Sequence, residues 1–125
     1  MLMREESMLS TAVTGELKRM ITTARGLEVA GLLLENSAGE QRIQRAPNLQ
    51  SEPGHVEIPR WWLDRMLGRQ DCAGFRPIAF FHTHVLSLEL SETDRASLDN
   101  AVLPWIVLMV NDGQIKWAVY DCPSR

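Results

Sequence analysis

The sequence predicts an α/β domain, a mixed β-sheet sandwiched by helices. Three observations predict it. Short apolar runs bounded by turn residues alternate with stretches whose apolar residues recur at three-and-four spacing. Their order is helix, two strands, helix, strand, helix, two strands, which gives a sheet with helices on its faces. The 125 residues are 45% hydrophobic and 23% charged, enough for one domain, 1–125, with a real core. No repeat, low-complexity tract or interdomain linker divides the chain.

Met8 and Leu9 are read as a brief strand before the first helix. That helix is capped by Ser10 or Thr11, and Ala12, Val13, Leu17, Met20, Ile21 and Ala24 form its buried stripe. Gly26 suits the left-handed position that ends it. Leu27 to Leu34, LEVAGLLL, reads as a buried strand, paired through a turn at Ser37 to Gly39 with Gln41 to Arg45. Gly31 inside that strand marks a close approach by another backbone. Residues 46–58 form a loop with one short strand at its end, and His55 there is an ordinary surface residue. Pro59 opens a second helix, with Trp62, Leu63, Met66 and Leu67 as its apolar face and Gly68 at its end. Ile78 to Phe81 is the central strand. A third helix begins around Ser91 and Asp94 and continues through Arg95 to about Val102, and Pro104 stops it. Trp105 to Val110 and Ile115 to Tyr120 form a hairpin around Asn111, Asp112 and Gly113.

A net charge of -3 leaves no basic footprint for nucleic acid. No apolar run approaches the length of a membrane span. The first eight residues, MLMREESM, lack the apolar core of a signal peptide, which predicts a cytoplasmic protein. Cys72 and Cys122 have neither zinc nor redox spacing. They are read as free thiols of a reducing compartment in preference to a disulfide.

The chemistry concentrates in Pro77 to Asp94, PIAFFHTHVLSLELSETD. Alternate side chains of a strand share a face, so His82 and His84 point one way and Thr83 the other. Ser91 and Asp94, three apart at a helix start, share a side. Two imidazoles and a carboxylate are three ligands for zinc, with a fourth position open, as in catalytic sites. Each half alone has a plain alternative. A strand-end histidine is more often no ligand, and Ser-x-x-Asp is usually a helix cap. The whole pattern, H-x-H-x6-S-x2-D, should arise by chance on the order of 10^-4 times per shuffled sequence of this composition. The conjunction favours a metal site. Glu28, a carboxylate at the mouth of an apolar strand, is by itself an ordinary solvent-facing residue; beside two histidines it is a candidate catalytic group.

Glu28 in LEVAGLLL, then FHTH, then SETD resembles the JAMM (MPN+) metalloprotease family in its compact bacterial and phage form. RAPN and the following HVEIP add to the likeness, which covers nearly the whole chain. The resemblance implies an α/β sandwich of the JAB/MPN, cytidine-deaminase-like kind. It implies that His82, His84 and Asp94 ligate one Zn²⁺ and that Glu28 is the general base. Ser91 would donate to the developing oxyanion, a contact typically worth about 3 to 4 kcal/mol. Six residues, VLSLEL, separate His84 from Ser91, where the family usually has seven, and they contain no proline or glycine. The loop must therefore reach Asp94 by another path or start its helix one residue differently. Val85, Leu86, Leu88 and Leu90 either line a substrate surface or cap the core, and the second is favoured.

Three functions compete. The first is a zinc isopeptidase or protease cutting after the C-terminal glycine of a ubiquitin-like protein, with Pro47 to Val56 and Val85 to Leu90 lining a narrow channel. The second is a phage tail-assembly protein that processes or binds a structural partner. The third is a non-catalytic scaffold, against which the filled five-residue motif argues. A cytidine deaminase is excluded, since no H-x-E is followed by P-C-x-x-C.

Overall fold

The computed structural model describes residues 3–4, 9–24, 28–47, 58–67, 74–84, 87–90, 92 and 102–121. They form one six-stranded mixed sheet and two helices. The elements are β1 (Met3–Arg4), α1 (Thr11–Thr23), β2 (Ala30–Glu35), β3 (Gln41–Arg45), α2 (Arg60–Leu67), β4 (Arg76–Thr83), β5 (Trp105–Asn111) and β6 (Gln114–Tyr120). The strand order is β1-β6-β5-β4-β2-β3. Every neighbouring pair is antiparallel except β4 and β5, which run parallel. Parallel neighbours need a crossover, and the 21 residues from His84 to Pro104 provide it.

The predicted elements recur with instructive shifts. Ser10 caps α1, its hydroxyl accepting from the Val13 amide at 3.2 Å. Val13 and Leu17, four apart, are the buried stripe. The described N-terminal strand is Met3–Arg4; Leu9 enters the core beside Val13 and Leu17 instead of a strand, and Met8 lies outside the described residues. α1 ends at Thr23, and the Ala24 amide bonds the Met20 and Ile21 carbonyls. Gly26 lies outside the described residues, as do His55, Gly68, both cysteines and residues 93–101 of the third predicted helix. Ile58 and Pro59 lead into α2, Pro59 accepting from the Trp62 and Leu63 amides, and residues 48–57, where the short strand is expected, lie outside the described residues. Asp112 and Gly113, with φ of 52° and 75°, make the two-residue type I′ turn of the β5–β6 hairpin.

The sheet is covered on both faces. One face holds Leu33, Ala79, Phe81, Ile106, Leu108 and Val119 against Leu9, Val13 and Leu17 of the α1 segment. The other carries Leu32, Leu34 and Phe75 against Trp62 of α2, with Leu63, Met66 and Phe80 packed alongside. A further cluster of Leu90, Val107, Leu88, Trp105 and Tyr120 shares that second face. Gly31 is where two neighbours close in: a Cβ would meet the Gln44 carbonyl and stand 2.7 Å from the Phe81 ring. Among the described residues no helix is long and apolar enough to cross a membrane.

Candidate metal centre

The site forms where β2 begins and β4 ends. β2 and β4 pair with Ala30 opposite His82, and directly opposed residues of a ladder share a face. Continuing that register sets Val29 beside Thr83 and Glu28 beside His84. Two hydrogen bonds hold it: the Thr83 amide donates to the Val29 carbonyl, and the Val29 amide donates to the Thr83 hydroxyl, both at 2.8 Å. The hydroxyl stands in for the carbonyl that a continued ladder would use. This is why the regular strand starts at Ala30 although the apolar run begins at Leu27. Glu28, Ala30, His82 and His84 therefore share one face, and Thr83 the other, as the alternation predicts.

The side chains meet. The Nε2–H of His82 donates to Glu28 Oε1 at 2.6 Å, and the two side chains are only 11% and 9% exposed. An ionised carboxylate only accepts, so this bond places a proton on Nε2. A carboxylate this buried needs such a donor, because an unpaired one is costly to hold out of water. The His82 and His84 rings meet edge to face, with centroids 4.8 Å apart at 89°. His84 is half-buried and anchored twice. Its amide donates to the Leu108 carbonyl at 2.8 Å, and its Nδ1–H donates to the Ser87 carbonyl at 3.1 Å. The second bond puts the proton on Nδ1 and the lone pair on Nε2, the usual outer contact of a metal-binding histidine.

One ligand atom from each of Glu28, His82 and His84 can be chosen so that all lie within 4.8 Å of one another. These three residues form a group that could hold a metal ion. Of the five residues singled out in the sequence, the structure brings these three together; Ser91 and Asp94 lie outside the described residues. Leu88 and Leu90 pack with Val107, Trp105 and Tyr120, and the Tyr120 hydroxyl donates to the Leu88 carbonyl at 2.9 Å. They cap the core, as favoured. Val85 and Leu86 lie outside the described residues.

Two neighbours of the site were not legible in the sequence. Thr83 looked like a back-facing strand residue, yet it fixes the chain beside Glu28. Trp105 was read only as a strand start, but its ring stands edge to face with His82, centroids 6.2 Å apart. No sequence signal marks either role.

No family model and no curated protein matches the chain. Its fold is similar to the solution structure of protein DSY2949 from Desulfitobacterium hafniense, with a TM-score of 0.69 over 88% of this chain and 80% of that one. The two are 16% identical, so the likeness is one of fold. Fold and site together define an α/β domain with a mixed sheet and a Glu-His-His cluster able to take a metal.

Proposed function

We propose that the protein is a zinc-dependent isopeptidase or protease of the JAMM kind. It hydrolyses the peptide or isopeptide bond after the C-terminal glycine of a ubiquitin-like protein. The observation that carries this reading is the convergence of Glu28 with His82 and His84, from strand ends 54 residues apart. The donor set suits the ion: imidazole and carboxylate are ordinary zinc ligands, and the Ser87 carbonyl already holds His84 in the ligating tautomer. Bound zinc would supply a Lewis acid and a water acidic enough to ionise near neutral pH.

His82 and His84 hold the metal in this reading, with Asp94 as third ligand. Glu28 is the base. The 2.6 Å contact of Glu28 Oε1 with the His82 Nε2–H supports a proton-handling role for Glu28. Its oxygen would take a proton from water and pass it to the leaving amine. Ser91 would donate to the oxyanion.

The test is a panel of ubiquitin-like fusions, offered to zinc-loaded wild type and to Glu28→Gln protein. Wild type should cut after the terminal glycine and slow sharply when that glycine is replaced by valine. Glu28→Gln should keep one zinc per chain and lose about 10²–10⁴-fold in turnover, the usual contribution of a general base. Near wild-type cleavage by Glu28→Gln removes Glu28 from the chemistry. Cleavage of no fusion at all would turn the reading toward the tail-assembly alternative.

A further inference from the structure

Trp105 opens β5 in register with Phe80 of β4, so its side chain stands on the sheet face that carries Phe80 and His82. The contacts agree. The indole meets Phe80 edge to face at 6.3 Å and His82 at 6.2 Å, and Leu88, Leu90, Val107 and Tyr120 pack around it. His82 is thereby held between two rings set nearly perpendicular to its own, Trp105 on one contact and His84 on the other. The indole Nε1 is buried and has no acceptor among the described residues. Buried donors are nearly always paired, and each exception needs an explanation. Phenylalanine would fill an apolar cluster without that burden, so the N–H itself requires a reason.

We propose that Trp105 is a positioning residue of the candidate metal centre, its indole N–H bonding an oxygen atom that enters with the metal's coordination sphere. This deepens the zinc reading above and rests on it. Outer-shell donors orient oxygen ligands and tune a metal, and losing one typically costs about 10–100-fold in affinity. Trp105 meets the chemical requirement: a donor only, rigid, packed against a ligating histidine, and shielded from solvent.

The decisive variant is Trp105→Phe, which deletes the N–H and keeps a ring in the cluster. Zinc affinity is measured by competition with a chromophoric chelator, and unfolding midpoints are measured with zinc and with chelator. Trp105→Phe should bind zinc about 10–100-fold more weakly than wild type. Its midpoint in chelator should match or exceed that of wild type, since a buried unpaired donor has gone, while its midpoint in zinc should fall. The indole N–H resonance of Trp105, one of four tryptophans, is assigned by its disappearance in the variant. In wild type it should shift, and exchange more slowly, on addition of Zn²⁺.

Three results are adverse in different ways. Equal destabilisation of Trp105→Phe with and without zinc means that the N–H is paired within the chain, and the proposal fails. Unchanged zinc affinity in Trp105→Phe also overturns it while leaving the metal reading intact. If wild type itself binds no zinc, the metal reading falls and takes this proposal with it.

Discussion

The two faces of the sheet are built to different rules. Beneath α1 the face is a single apolar cluster, from Leu9 and Val13 across Phe81 and Ile106 to Val119. Beneath α2 it is two clusters, one around Leu32 and Trp62 and the other around Val107 and Leu90. At their border His82 lies in register with Ala30 on one side and Val107 on the other, and turns toward Glu28 and His84. The first face contributes stability. The second gives up continuous packing for a buried polar pair, and that break is where chemistry can be placed. A chain has no stability reason to bury Glu28 against His82 when apolar residues of similar size would serve as well or better.

If the faces divide the labour this way, substitutions should divide too. The largest effect belongs to the histidines. His82→Ala/His84→Ala protein should retain no zinc by elemental analysis, against one per chain in wild type; zinc undiminished in that variant would move the site elsewhere. His84→Ala alone is the cleaner arm, because removing His82 also takes a donor from the buried Glu28 carboxylate. Zinc affinity of His84→Ala should fall by more than the roughly 10–100-fold of a lost outer partner, with little change in the unfolding midpoint.

The opposite face should answer in the opposite currency. Leu17 is 1% exposed, and Leu17→Ala should cost about 2–5 kcal/mol in urea unfolding while leaving zinc stoichiometry untouched. Loss of zinc at temperatures where that variant is still folded would show the faces to be coupled. The smallest effect, and the sharpest, is at the seam between them. Thr83→Val keeps the shape but leaves the buried Val29 amide without its acceptor, for about 1–3 kcal/mol. Hydrogen exchange at Val29 should quicken, and unchanged protection there would mean the hydroxyl is not what holds the start of β2.

Much of this was legible beforehand because it depends on local chemistry. Apolar runs and turn residues placed β3 at Gln41–Arg45 and the hairpin around Asp112 and Gly113, and the Pro59 signal placed α2. Period-two alternation put His82 and His84 on one face. What escaped was set by partners distant in sequence. β2 starts at Ala30 instead of Leu27 because Thr83 substitutes a hydroxyl for a ladder carbonyl. The register also shifts between Leu33 and Leu34, where Ala79 and Pro77 are their partners and Ile78 is the extra residue. Proline, lacking an amide donor, is tolerated at such a break, but its presence did not announce one. Trp105 was invisible for the same reason, since nothing near it in sequence mentions His82.

The 54-residue separation of Glu28 from His82 also fixes when the site can exist. The β2–β3 and β5–β6 hairpins close over short loops and can form in microseconds, whereas joining β2 to β4 and then β4 to β5 requires long loops to close first. In refolding, hairpin structure should therefore appear before any competence to cleave a ubiquitin-like fusion, and stopped-flow circular dichroism against an activity assay started at successive refolding times would show the lag. A folding chain is protected by that order: its two histidines lie close in sequence, but no base stands beside them until β2 has paired with β4.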